Sequence, residues 1–523
     1  MHIREFIHRL ATPAFCCAVL VLTQVSCRDS KAIAGGVIDY SAEAVPFVKP
    51  ESDPLYVLPG APKLPAATQR TLDVRRAFFA GRFEIPELAL TLAHDDYLNG
   101  FSEKAAAGSI IHSIQDTQLA GIDACADWLR QVPSSYAAHW LCGAMWEGGA
   151  WVARTGKFSS EVSAAQFAIM QERLQRSNAL LEKAIGLTPK PLEALTLLAA
   201  NYYLGGDKQG AEALLARAEK IKPDHLPIHR TRLNYARPQW GGSEELLKAA
   251  FERAKEAGVS GDALVNIEDD FIVRPSKKTN PGETRAYWER VIGEHPTKAR
   301  LTELRNELFR VQSWDAALPV ASRLIAEYPG DGTDYYWRAR IHQQLGRMAE
   351  ARGDYRMAAV MGHDLALQEL IMVNIRGGLG VTEKSFDEVV LLCRYGASLG
   401  SGVGGNCMGS LFFEGGSAGV PFRNDTAQAL AWHLLGARAG HYNSQYDLGW
   451  LLFTGRGPNV EAAAGKRLGV FWLRRAAEQG QQYAKKKLEE NKIELSEPLS
   501  GFDEETSFES VLATLYGLVW ILM

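Results

Sequence analysis

Three tryptophans, Trp140, Trp146 and Trp151, and the run Arg237-Pro238-Gln239-Trp240-Gly241-Gly242-Ser243 come nearest to chemistry by type and spacing. Three rings spaced like these do not share one helical face. At least one therefore projects away from its own helix seam, either to fill gaps between helices or to line a groove where rings stack on a sugar or peptide. In the second run a proline, a large aromatic and two glycines precede Ser243 and then Glu244-Glu245, a pattern that opens a new helix with a cap. It reads as a rigid turn with Trp240 in the core, or as a nest of backbone N–H groups binding an anion with help from Arg237.

Other matches fail on their context. Gly415-Gly416-Ser417-Ala418-Gly419 spells Gly-x-Ser-x-Gly, but a nucleophile elbow needs a strand before it and a helix after it. Gly400-x-Gly402-x-x-Gly405 spells a dinucleotide fingerprint without a βαβ unit around it. His225 and His229 stand four apart with Pro227 between them, and no third ligand follows at zinc spacing. His94-Asp95-Asp96 and Glu268-Asp269-Asp270 could pair carboxylates for acid/base work, yet acidic residues also favour helix starts. No catalytic, cofactor-binding or metal-ligating set is complete, so none is expected.

The elements that must position these residues are helical. With 523 residues, 46% hydrophobic and a net charge of −4 from 57 basic and 61 acidic side chains, the chain is a folded one with no field to gather nucleic acid. Arg4 and Arg9 precede an apolar run from Ala14 to Thr23, too short to span a bilayer and read as an export signal over residues 1–26. Val25-Ser26-Cys27 resembles a bacterial lipobox, with Gln24 departing from it, so lipidation at Cys27 stands beside plain cleavage and an uncleaved anchor. Residues 27–68, with six prolines, read as a tether. In an oxidising compartment Cys125 with Cys142 and Cys393 with Cys407 form two disulfides, or the four are buried thiols. Val511 to Met523 is an apolar tail, short for a membrane span and suited to a terminal helix that caps a solenoid end.

From Gln69 onward apolar residues recur at helical spacing between Gly, Pro and Asn/Asp breaks. Ala184 and Pro189 recur as Ala218 and Pro223, an offset of 34, with Ala199, Tyr202, Gly206 and Ala211 between them. Ala339, Gly346, Ala351, Tyr355 and Ala358 repeat the pattern. These residues resemble the tetratricopeptide repeat, in which small residues let the two helices of a hairpin approach. After Gly377 the punctuation changes, with 20 of the 48 glycines falling between residues 377 and 480. Ala397/Gly400, Ala437/Gly440 and Ala477/Gly480 recur every 40 residues, as do Gly409/Gly449 and Trp432/Trp472. This stretch resembles SEL-one-like repeats. AFFAGRFEIPEL, the Trp140/Trp146/Trp151 region and ARPQWGGSEELL, between residues 75 and 250, are similar to the bacterial domain of unknown function numbered four thousand and thirty-four.

The expected architecture is an all-α, α/α solenoid. Helical hairpins and the domain of unknown function occupy 69–250, tetratricopeptide-like hairpins 251–380, SEL-one-like repeats 381–490, and a linker with the apolar tail 491–523. The resemblances imply a non-catalytic protein-interaction scaffold, and the export signal places it in a bacterial cell envelope, either periplasmic or anchored to a membrane as a lipoprotein through its N-terminus. Asn201, Tyr202, Arg340, Gln343 and Tyr446 are the candidates for a concave binding face. The alternatives are an envelope-polymer hydrolase around the tryptophans, His94 and His139, and a glycan- or anion-binding module in the same region.

Overall fold

The computed structural model describes residues 58, 60–100, 121–154, 161–273, 281–381, 385–415, 420, 422–457 and 462–494. The export signal, Cys27, most of the proline-rich segment, Ser417 and the apolar tail lie outside the described residues. Within them the regular elements are helices, with one isolated β-bridge between Gly378 and Val381. No described helix is long and apolar enough to cross a membrane.

The first part of the chain runs through α1 (Ala66–Phe79), α2 (Glu84–Leu98), α3 (Ile122–Gln131), α4 (Tyr136–Arg154), α5 (Ala164–Leu187), α6 (Leu192–Leu204), α7 (Lys208–Ile221), α8 (Leu226–Ala236), α9 (Glu244–Glu256) and α10 (Gly261–Ile267). The second part continues with α11 (Pro281–Glu294), α12 (Lys298–Arg310), α13 (Trp314–Glu327), α14 (Gly332–Gln344), α15 (Met348–Val360), α16 (Asp364–Arg376) and α17 (Phe386–Ser398). It ends with α18 (Gly402–Phe413), α19 (Thr426–Arg438), α20 (Tyr442–Phe453), α21 (Ala462–Glu478) and α22 (Gln482–Glu490). Consecutive helices pack as hairpins, so the fold is an all-α solenoid.

Local chemistry accounts for these helices. Asp207, Ser243, Thr297 and Asp425 each accept a hydrogen bond from the backbone N–H three residues on, satisfying one of the donors that a helix start leaves open. The small residues of the repeat pattern sit at the crossings. Ala184, Ala199, Ala211, Ala218, Ala339, Ala351 and Ala358 are fully buried. In the later units the approach is closer still: a Cβ on Gly404 would fall 2.2 Å from the Ala397 nitrogen, and one on Gly405 2.6 Å from the Gly436 nitrogen. Only glycine lets the backbones of α17, α18 and α19 meet in this way.

Two covalent staples act at similar places. Cys125 is bonded to Cys142, joining α3 to α4, and Cys393 to Cys407, joining α17 to α18. Between units, buried ion pairs replace apolar contacts. Arg300 binds Asp269 through Nε at 2.6 Å, and Arg305 holds Asp334 at 2.7 Å.

The chain then closes on itself, and its N-terminal part lies along successive turns of the second part. Leu58 and Leu72 belong to one apolar core with Tyr336, Tyr355, Leu367 and Leu399. Thr68 Oγ1 donates to the Gly330 carbonyl at 3.0 Å. Arg75 donates to the Gly362 carbonyl at 3.3 Å and pairs with Asp364 at 3.5 Å. Phe79 lies against Gly400, where a Cβ would come within 2.0 Å of the ring. Asp127 pairs with Arg438 at 2.6 Å, and Arg173 pairs with Glu478. The tether reading is corrected here for residues 58 and 60–68: Leu58 is fully buried, and α1 begins at Ala66.

Two glycine substitutions separate this docking from ordinary backbone strain. Gly400 (φ 69°) and Gly455 (φ 70°) share a left-handed conformation, but only Gly400 has a neighbour in the way of a Cβ. Gly455→Ala should cost the backbone penalty of about 1–2 kcal/mol. Gly400→Ala should cost clearly more in chemical denaturation, and equal losses would mean that Phe79 does not sit there.

Candidate functional site

The histidines and acids of the first part are tied into the framework. The His94 Nδ1 lies 2.7 Å from Glu193 Oε2, and the Tyr136 hydroxyl donates to the same oxygen at 2.9 Å. All three elements, α2, α4 and α6, meet at this buried carboxyl, which the His94 bond holds below its usual range against the cost of burial. His139 is buried, with Nδ1 2.7 Å from the Ser135 carbonyl. His225 Nδ1 meets the Tyr97 hydroxyl at 2.9 Å, and His229 Nε2 meets the Pro223 carbonyl at 2.7 Å. Asp269 is spent on Arg300 and Asp270 on Arg230. These groups join helices rather than facing a cleft, and among the described residues no group of three or more His, Cys, Asp or Glu is placed to hold a metal.

The tryptophans divide. Trp140 is core, its ring stacked on Tyr136 at 6.2 Å. Trp146 is half-buried with the Arg176 guanidinium 4.7 Å from its ring centre. Trp151 Nε1 donates to Glu147 at 2.5 Å, and Arg154 lies 5.5 Å from its ring. Each of these two rings therefore carries an arginine of the same chain on one face.

The Arg237–Ser243 run is a turn, and the anion-nest reading is corrected. Trp240 N and Gly242 N both donate to the Arg237 carbonyl, and Gly241 N to that of Pro238, so these donors are spent inside the turn. Gly241 takes φ 77°, and a Cβ on Gly242 would fall 2.0 Å from the Ala236 carbonyl oxygen. Ser243 Oγ caps α9, Trp240 leans on Tyr235 at 5.8 Å, and Arg237 faces Phe271 at 5.8 Å.

Of the residues expected on a concave face, Asn201 is corrected. It is buried, and its amide donates to Ser177 Oγ at 3.0 Å and Asn178 Oδ1 at 2.9 Å, linking α6 to α5. Tyr202 is half-buried with its hydroxyl donating to Glu182 at 3.3 Å. Arg340 donates to the Tyr336 hydroxyl at 3.1 Å, and Gln343 accepts from Tyr355 at 3.0 Å; both are half-buried. Tyr446 is half-buried, 6.0 Å from Tyr483, and Trp450 one turn further along α20 stacks on Phe453 at 5.8 Å.

Beside this aromatic row is a group that the spacing did not single out. Asp447 follows Tyr446 on α20, Glu414 is the residue just after α18, and His433 projects from α19 with Nε2 4.0 Å from Asp447 Oδ2. Burial pushes the Asp447 carboxyl up to about 7, with Glu414's charge adding to it, and burial alone pushes Glu414 up to about 7. Burial drives His433 down to about 3, so the imidazole is neutral near pH 7. The signal in the sequence is Asp447 itself, a lone charge inside the apolar stretch YDLGWLLF.

A helical-repeat solenoid is thus the class that fold and surface define. No family model and no curated protein sequence matches the chain. Among solved structures, c5321, a protective antigen of uropathogenic Escherichia coli displaying an SLR fold, aligns at 16% identity over 83% of this chain and 93% of that one, with a TM-score of 0.34. A human IFIT1 dimer with PPP-AAAA aligns at 12% identity over 79% and 95%, with a TM-score of 0.29. At these scores neither bears on what this chain binds.

The acid pair gives a pH signature. An unfolded aspartate titrates near about 4, whereas folded Asp447 holds its proton to about 7. The stability that such a raised carboxyl contributes is full below the unfolded value and is lost as pH rises through the folded one. Asp447→Asn with Glu414→Gln removes that loss. Urea denaturation should show the double variant gaining on the unsubstituted protein between about pH 5 and about pH 7; a constant difference would mean that both carboxyls are solvated.

Proposed function

We propose that this protein is a non-catalytic interaction scaffold of a bacterial cell envelope that takes a partner protein along the inner helices of its last units. The observation that carries the reading is the row of half-exposed aromatic and acidic side chains on α18 and α20, Phe413, Glu414, Tyr446, Asp447 and Trp450, on a rigid repeat frame. Stacked helix pairs offer extended surfaces of this kind. The export-signal pattern over residues 1–26 and the two disulfides support an oxidising compartment outside the cytosol. The hydrolase reading loses its footing, because His94 and His139 are buried and tied into the framework.

In-cell crosslinking of the full chain, followed by recovery from an envelope fraction, tests the reading. One or two envelope proteins should be recovered reproducibly and at near-equal amounts, and should be lost with Tyr446→Ala and Trp450→Ala while the melting temperature is kept. Recovery of no protein, or of glycan alone, contradicts it.

A further inference from the structure

At two helix starts a histidine ring stands where an oxygen usually caps. His363 Nδ1 accepts from the Ala366 N–H at 3.3 Å and opens α16, and His441 Nδ1 accepts from the Ser444 N–H at 3.4 Å and opens α20. An imidazole accepts at Nδ1 only while it is neutral, with its proton on Nε2. Protonation turns that acceptor into a donor facing another donor, and it sets a positive charge at the positive end of the helix dipole. The cap is then lost.

Both histidines belong to turns that receive the first part of the chain. Arg75 of α1 reaches over the first turn, donating to the Gly362 carbonyl at 3.3 Å and pairing with Asp364 at 3.5 Å, the residues on either side of His363. Leu72 closes on the same turn, where a Cβ on Gly362 would lie 2.9 Å from it. At the second turn the Gly121 N–H donates to the Arg438 carbonyl at 3.4 Å, and Asp127 of α3 pairs with the Arg438 side chain at 2.6 Å. The His363 ring is stacked on Tyr336 at 4.5 Å and the His441 ring on Tyr442 at 5.4 Å. A ring that turns out to water breaks this stacking and loosens the turn that carries it.

The surroundings of each ring set the direction of the effect. Burial holds the His363 imidazole down at about 4, and the Arg75 guanidinium acts the same way. Asp364 and Asp331, the cap of α14, act against them, and Asp331 is itself paired with Lys298 at 2.6 Å. Burial alone brings His441 down to about 4, and its neighbour His433 of α19, driven down to about 3, stays neutral over the same range. A released ring titrates near about 6.5. Docking that needs neutral rings is therefore full above about pH 6.5 and is lost as the pH falls toward the folded value of about 4.

We propose that His363 and His441 make the docking of α1 and α3 acid-sensitive: once protonated, these two caps release the helices from the α15–α16 and α19–α20 turns. The switch acts on the closure of the solenoid and is independent of what its surface binds.

Hydrogen exchange of the full chain at about pH 7.5 and about pH 5, corrected for the intrinsic rate, reads the docking helix by helix. A shift from about 6.5 to about 4 weakens the docked state at about pH 5 by up to about thirtyfold per ring. α1 and α3 should accordingly lose at least about tenfold in protection, and α9, packed on α8, should not. His363→Asn should keep α1 protected in acid and His441→Asn should do the same for α3, because asparagine caps a helix without titrating. His363→Ser and His441→Ser, caps of similar strength, carry the comparison where an asparagine variant does not fold. Asp447 and Glu414 stabilise the fold in acid, the opposite sign, and are common to all these variants. Four results overturn the proposal: no loss at α1 and α3, a loss that persists in the substituted chains, an equal loss at α9, or an α1 already unprotected at about pH 7.5.

Discussion

The docking of helices α1, α3 and α5 across the turns of the later units is the constraint on which the rest of this structure depends. A solenoid held only by nearest-neighbour contacts has open ends and soft curvature. Here Thr68, Arg75, Phe79, Asp127 and Arg173 each meet a later turn or helix end, at Gly330, Gly362, Gly400, Arg438 and Glu478 in that order. The contacts advance by about one repeat at a time, so the first part of the chain works as a ruler laid along the second. Arg75 is buried in this seam at 4% exposure. The units from α14 to α21 are thus tied to helices hundreds of residues away in sequence.

Within that frame, rigidity comes from polar and covalent ties as well as apolar packing. The Arg300–Asp269 and Arg305–Asp334 pairs lie between units, where removing one partner would strand a buried charge. The two disulfides join adjacent helices, α3 to α4 and α17 to α18. The glycines of α18 let three helices meet at backbone distance, which brings the end of α18, His433 and Asp447 together. A surface on such a frame is preorganised.

Much of the fold was legible because helical hairpins repeat. The 34-residue offset from Ala184 to Ala218 and the 40-residue offset from Gly400 to Gly440 mark helix crossings and turns that the structure places in the same roles. Local periodicity tells which residues share a helical face, but not what a third element lays over that face. For this reason Asn201 read as an exposed ligand-facing residue and is in fact a buried link between α5 and α6. The closure was invisible for the same reason: Thr68 and Gly330 are 262 residues apart, and nothing in either neighbourhood announces the other. Proline content suggested an extended tether up to residue 68, whereas Leu58 is drawn into the core of the second part. The His433–Asp447 pair escapes the sequence because its members come from two helices and match no spacing rule.

A double-mutant cycle on Arg173 and Glu478, which meet across 305 residues of chain with both side chains largely buried, tests the closure most directly. Single alanine substitutions and their combination, measured by chemical denaturation of the full chain, should give a coupling of about 1 kcal/mol or more, as expected for a buried charged contact. A coupling within about 0.3 kcal/mol of zero, the range of independent distant sites, would contradict the closed arrangement and the fixed inner surface that depends on it.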